Sequence, residues 1–221
     1  PLSLDPPQVI VILNHTKIVK LSGDQKTFSR NFNKDFTINL KSLPKQNNGW
    51  TMSGLNLLNS IGYLTFDEKS GKYSQNKFKK IKHNKIKEHS LMVGDNYLIT
   101  NDNKGTIIKF MNNENSSWRQ NIYNKKEKKL IESISLAVFD NAIYAADNLG
   151  KYYSINLSNG KLLWTKQHNT PFISHIKVFD NKIFVIDGNN TLRCFSMVDG
   201  QEIWNVATQL SFIKTNKKLS I

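Results

Sequence analysis

The sequence predicts an all-β protein built from repeated four-stranded antiparallel sheets. Three observations carry this expectation. A unit of 40 to 45 residues recurs three times in the second half of the 221-residue chain. Inside each unit, short apolar runs alternate with turns of Asp, Asn and Gly. No stretch sustains a helical period; residues 126–135 fit a short helical turn, but Ile131, Ile134 and Leu136 suit a strand equally well.

The copies superpose on an Asp-Asn pair. Asp95-Asn96, Asp140-Asn141 and Asp180-Asn181 stand 45 and 40 residues apart, and the closing tryptophans Trp118, Trp164 and Trp204 stand 46 and 40 apart. In the third copy Val178-Phe179 is a strand, Asp180-Asn181-Lys182 a tight turn, and residues 183–186 the returning strand. Asp and Asn suit such turns because they tolerate left-handed backbone angles and bond their own backbone. Residues 147–150 and 187–190 make the second turn, residues 152–155 and 192–195 the third strand, and Asn159-Gly160 and Asp199-Gly200 the third turn. The outer strands begin at Leu162-Leu163-Trp164 and Glu202-Ile203-Trp204. The first copy departs here, with Asn113-Glu114-Asn115 in place of the glycine turn and a loop one residue shorter.

A four-stranded unit of this period is a propeller blade. The expected fold is therefore a β-propeller of four-stranded antiparallel blades. It is a partial propeller of about 3–5 blades, because seven or eight would need roughly 280–360 residues. Residues 1–47 read as an N-terminal extension and incomplete blade, with strand candidates at 9–20 and 36–40. Residues 48–221 hold the repeats, clear over about 90–118, 135–164 and 175–204, with 210–221 starting another. Each tryptophan is expected to wedge between neighbouring blades, with its N–H on a backbone carbonyl.

Composition narrows the function. No apolar run approaches the roughly 18 residues of a membrane-spanning helix. Pro1 is not an initiator residue, so a signal peptide or lipid-attachment cysteine could precede it. Cys194 is the only cysteine, which excludes an intrachain disulfide and weighs against a multi-cysteine zinc site. The net charge of +14 raises nucleic acid or anionic lipid as partners. Its densest runs, residues 79–87 and 125–129, sit between strand-like segments where solvated loops belong. Arg30, Arg119 and Arg193 are the only arginines, a poor supply for bidentate phosphate or base recognition, so nucleic acid is disfavoured.

Chemistry is hard to find. The five histidines show no metal-ligand spacing, and neither a nucleophile elbow nor a phosphate loop occurs. Asp102, Asp147 and Asp187 occupy equivalent positions in successive repeats and read as turn caps, not calcium ligands. No catalytic, cofactor-binding or metal residue is assigned, and no cofactor is expected.

The pattern of hydrophobic-Asp-Asn, then Asp-x-x-Gly, then Asp/Asn-Gly-x-x-hydrophobic-Trp resembles PQQ-like (quinoprotein-type) propeller repeats. Most of all it resembles those of the BamB-type lipoproteins of outer-membrane β-barrel assembly. The stretch from Gly49 through Trp50 and Gly54 to Asn56 is similar to the Trp-x-x-x-Gly-x-Asn segment that opens the propeller in that family. The resemblance implies a non-catalytic scaffold in the periplasm or at the inner face of the outer membrane. Its partners would be proteins, either the barrel-assembly pore subunit or unfolded barrel proteins. Residues 112–117 and 167–172 are candidate contact loops, and strand addition at an exposed edge is one mode of binding. The alternative is a PQQ- and calcium-dependent dehydrogenase, against which stand the lone Cys194 and the lack of an acidic cluster. A basic nucleic-acid-binding protein is the second alternative.

Overall fold

The structure is a computed structural model that describes residues 49–60, 90–111 and 118–208. The candidate strands at 9–20 and 36–40, the basic run 79–87, the contact loop 112–117 and the segment 210–221 lie outside the described residues. The chain divides into two compact units, Pro1–Lys41 and Ser42–Ile221, and every described residue belongs to the second.

Each repeat folds as an antiparallel four-stranded sheet, its strands in chain order. The first sheet comprises β1 (Met92–Val93), β2 (Tyr97–Asn101), β3 (Ile107–Met111) and β4 (Trp118–Gln120). A single-turn helix, α1 (Glu127–Leu130), precedes the second sheet of β5 (Ile134–Phe139), β6 (Ala142–Asp147), β7 (Lys151–Asn156) and β8 (Leu162–Gln167). The third holds β9 (Lys177–Phe179), β10 (Lys182–Ile186), β11 (Thr191–Ser196) and β12 (Glu202–Ala207). The expected blade architecture is what forms: an all-β arc of propeller blades.

The turns explain why the strands break where they do. Asp140 (φ 50°) and both Asp180 and Asn181 (φ 48° and 55°) take the left-handed conformation that reverses the chain between first and second strands. Gly160 and Gly200 (φ 73° and 72°) do so between third and fourth. The last two sheets share a bulge at equivalent places, between Ser154 and Ile155 and between Cys194 and Phe195. Residues 126–135 divide between their two readings. Asn124 caps α1, its Oδ1 accepting the N–H groups of Lys126 and Glu127 at 2.9 and 3.0 Å. The Glu127 carboxylate in turn accepts the Asn124 N–H at 2.9 Å. The chain then extends at Ile131 and enters β5.

Burial follows sheet order. All six residues of β6 are buried because the second sheet is covered on both faces, which is why Ala142–Asp147 reads as an almost continuous apolar run. In β10 only alternate residues, Ile183 and Val185, are buried. One core joins the first and second sheets through Ile99, Ile107, Leu136, Ile143 and Tyr153. Another joins the second and third through Tyr144, Tyr152, Ile176, Ile183 and Phe195. The outermost strands β8 and β12 are largely exposed.

Candidate functional site

The seams between sheets are built by one device used twice. Trp118, on β4, donates its indole N–H to the Leu157 carbonyl of the second sheet at 3.1 Å. Trp164, on β8, donates to the Met197 carbonyl of the third at 2.9 Å. Each ring lies against the glycine of the next sheet's last turn. A Cβ at Gly160 would sit 2.6 Å from the Trp118 ring, and one at Gly200 2.7 Å from that of Trp164. Glycine is needed there both for its positive φ and for this approach. Around the hinge carbonyls, Lys109 Nζ donates to Leu157 at 2.9 Å, and the Tyr152 hydroxyl donates to the Gly200 carbonyl at 2.9 Å.

Trp204 is the third copy of the device and is 38% exposed. Its ring leans on Phe184, 6.0 Å away between centroids. The register puts Phe184 and Val206 on its face of the sheet, opposite the one buried against the second sheet. Phe179 and Val206 are 55% and 53% exposed there. The matching face of the second sheet, with Tyr144, Tyr152 and Trp164, is covered by the third.

The three aspartates are turn caps. Asp102 Oδ1 accepts the N–H groups of Lys104 and Thr106 at 2.9 and 2.8 Å. Asp147 Oδ1 accepts those of Leu149 and Lys151, both at 2.8 Å. Asp187 Oδ1 accepts those of Asn189 and Thr191 at 2.9 and 3.1 Å. In two of them the second oxygen is committed as well: Asp147 Oδ2 accepts the Tyr123 hydroxyl at 2.6 Å, and Asp187 Oδ2 pairs with Arg193 Nε at 2.6 Å. Burial raises the Asp147 carboxyl above its ordinary range, against the opposing pull of Tyr123 and the backbone donors. Burial and the neighbouring Tyr153 and Asp147 raise the Tyr123 hydroxyl well above its own. Among the described residues no three His, Cys, Asp or Glu side chains converge as metal ligands.

The opening segment, residues 49–60, lies along the inner strands. Trp50 exchanges backbone hydrogen bonds with Val93 of β1 at 2.6 and 2.9 Å, and the Val138 N–H of β5 donates to the Thr51 carbonyl at 2.7 Å. Met52 bridges Ala137. The segment then turns at Gly54 (φ 71°), and Asn56 Oδ1 accepts the N–H groups of Leu58 and Ser60 at 3.0 and 3.2 Å. Lys177 of β9, 1% exposed, reaches into this turn. Its ammonium donates to the Ser53 carbonyl, to the Asn56 carbonyl at 2.8 Å and to Asn59 Oδ1 at 2.7 Å. Three acceptors use up its three donors. Burial lowers the Lys177 pKa.

The contact loop 167–172 is tied down where it crosses from the second sheet to the third. The His168 N–H donates to Gly150, the Phe172 N–H to Asp147, and the Gly188 N–H to Pro171 (2.7, 3.1 and 2.8 Å). Phe172 is buried, so the loop offers mainly Gln167, Asn169 and Pro171 to solvent. An open groove of about 370 Å³ runs beside it, between Gln120 and Ile122 on one wall and Lys151, Leu162, Thr165 and Gln167 on the other. Lys177 and the exposed face around Trp204 were not singled out from sequence. The signal for the first was a lysine amid the apolar Ile176 and Val178, where the second copy has Ala137.

A family model described as outer membrane protein assembly factor BamB matches residues 89–217. No curated protein gives a significant match. Among solved structures, the quinohemoprotein alcohol dehydrogenase of Comamonas testosteroni is similar at 11% identity and a TM-score of 0.54, over 74% of this chain and 28% of that one. A europium-containing methanol dehydrogenase is similar at 12% identity and a TM-score of 0.53, over 73% and 32%. BamB from Moraxella catarrhalis is similar at 11% identity and a TM-score of 0.44, over 55% and 37%. The chain thus spans about a third of the length of these proteins. At such identities the likeness to the dehydrogenases is one of fold.

Proposed function

The chain belongs to the family described as outer membrane protein assembly factor BamB, a family of PQQ-like repeats, and from that premise we infer a non-catalytic scaffold that binds other proteins of the bacterial cell envelope. Its place is the periplasm or the inner face of the outer membrane, and its partners are the barrel-assembly pore subunit or unfolded barrel proteins. One observation carries the non-catalytic reading. The acids that chemistry would recruit, Asp147 and Asp187, spend both oxygens on turn N–H groups and on Tyr123 or Arg193. A quinone with calcium needs carboxylate and amide oxygens free to ligate the ion. Asp147 and Asp187 do not fit that group.

Binding falls to rigid surface. The outer strands β8 and β12 expose Leu162, Leu163 and Ile203, at 39%, 53% and 50%, beside an outer edge that an extended peptide can join. The test is direct binding of the purified barrel-assembly pore subunit, read by surface plasmon resonance, with a Leu163→Pro variant of the β8 edge as comparison. Saturable binding weakened in that variant is expected. No binding to the pore subunit or to an unfolded barrel protein, or alcohol oxidation once PQQ and calcium are added, would overturn the reading.

A further inference from the structure

The corner between the first and second sheets gathers positive charge around one exposed leucine. Lys125, Lys126 and Lys129 are exposed around α1, with Lys128 half-buried, and Lys104 is exposed on the turn that Asn121 ties to this corner. The acid within the run is withdrawn from it. Glu127 pairs with Lys151 at 2.7 Å and caps Asn124, facing the sheet and not the solvent side. Glu132 is the exposed acid nearby in sequence.

Leu130 closes α1 and is 60% exposed. It cannot turn inward. Ile131 next to it is 2% exposed and fills the core site, while Asn148 holds the backbone on both sides. The Asn148 Nδ2 donates to the Leu130 carbonyl at 3.1 Å, and its Oδ1 accepts the N–H groups of Glu132 and Ser133 at 2.9 and 3.1 Å. The fold thus holds an exposed apolar side chain at the end of the lysine-rich α1 turn, on a backbone pinned by Asn148. Among the described residues, the turns at the other end of the strands carry the exposed acids Asp95, Asp140, Asp199 and Asp180, the last paired with Lys182, together with the exposed Lys161. Of the described residues, those at the α1 end therefore offer the denser positive charge to an anionic plane.

We propose that the α1 corner is a contact for an anionic lipid surface, with the lysines on headgroup phosphates and Leu130 in the interfacial layer. A nucleic acid or another soluble polyanion would use the lysines but gain little from a leucine held in solvent, whereas a lipid interface uses both. This reading is independent of any protein partner.

The test uses the full 221-residue chain and co-sedimentation with vesicles of phosphatidylcholine, with and without phosphatidylglycerol. The chain should partition onto the phosphatidylglycerol vesicles and be released by salt. Replacing the four α1 lysines together (Lys125→Gln, Lys126→Gln, Lys128→Gln, Lys129→Gln) should cost at least about tenfold in partitioning and flatten the salt dependence, each lysine near such a surface being worth about fivefold. Leu130→Ser should cost about threefold or more and leave the salt dependence unchanged. Both variants alter exposed side chains, so unchanged melting is the control for folding. Equal binding to both vesicle types, or a Leu130→Ser variant that binds like the parent, overturns the proposal. Displacement from the vesicles by polyglutamate or duplex DNA at matched ionic strength, with Leu130→Ser indifferent, overturns it in favour of a soluble polyanion.

Discussion

Asp147 divides its work between two oxygens, one closing the β6–β7 turn and the other accepting the Tyr123 hydroxyl across the seam to the first sheet. It is fully buried, and burial raises its pKa above the unfolded value. The folded state therefore holds the proton more tightly than the unfolded chain. That contribution to stability is complete below the unfolded pKa and is lost as pH rises through the raised folded value. Asp147→Asn keeps an oxygen for the turn and removes the titration. Urea midpoints measured across the acid range should then show the parent losing stability relative to Asp147→Asn as pH climbs from the ordinary carboxylate range towards neutrality. Parallel profiles would place the titrating group elsewhere. The capping role was legible in advance, since Asp102, Asp147 and Asp187 recur at one position of the repeat. The hydroxyl partner was not, because Tyr123 lies between repeats where no period marks it.

Among the elements, the inner segment 49–60 depends most on a single distant residue. Its backbone joins β1 and β5 by three hydrogen bonds, and then Lys177 takes over from β9. A Lys177→Met substitution keeps the aliphatic stem but leaves the Ser53 and Asn56 carbonyls without the ammonium. Hydrogen bonds from a charged group are worth about 1.5–3 kcal/mol each. Amide exchange over residues 53–60, followed by mass spectrometry, should accelerate by about tenfold or more while β6 and β7 keep their protection. Unchanged protection of that segment would show that Lys177 does not hold it. Strand positions could be read from sequence because the Asp-Asn and Asn-Gly turns announce each reversal. The Lys177 contacts could not, since they join residues 118 to 124 positions apart. The helix-or-strand ambiguity of residues 126–135 has a physical origin: the Asn124 and Glu127 caps start one turn of helix, and Ile131, bound for the core, ends it.

For the molecule as a whole, the repeat makes stability a property of seams. Each sheet meets its neighbour through an apolar core fastened by one indole, so what a tryptophan is worth depends on whether another sheet covers it. Trp164 has its neighbour: its N–H is bonded to Met197 and its ring packs on Gly200. Trp204 occupies the same place in the repeat, but no described sheet packs over it and it is 38% exposed. From sequence the two look alike, because a repeat predicts the device and not which copy finds a partner. The direct measurement is a comparison of unfolding free energies by chemical denaturation for Trp164→Ala and Trp204→Ala. A loss of about 3–5 kcal/mol for Trp164→Ala against about 1 kcal/mol or less for Trp204→Ala is predicted. Equal losses at the two positions, or a Trp164→Ala protein as stable as the parent, would contradict the claim that indole clamps between successive sheets hold this fold together.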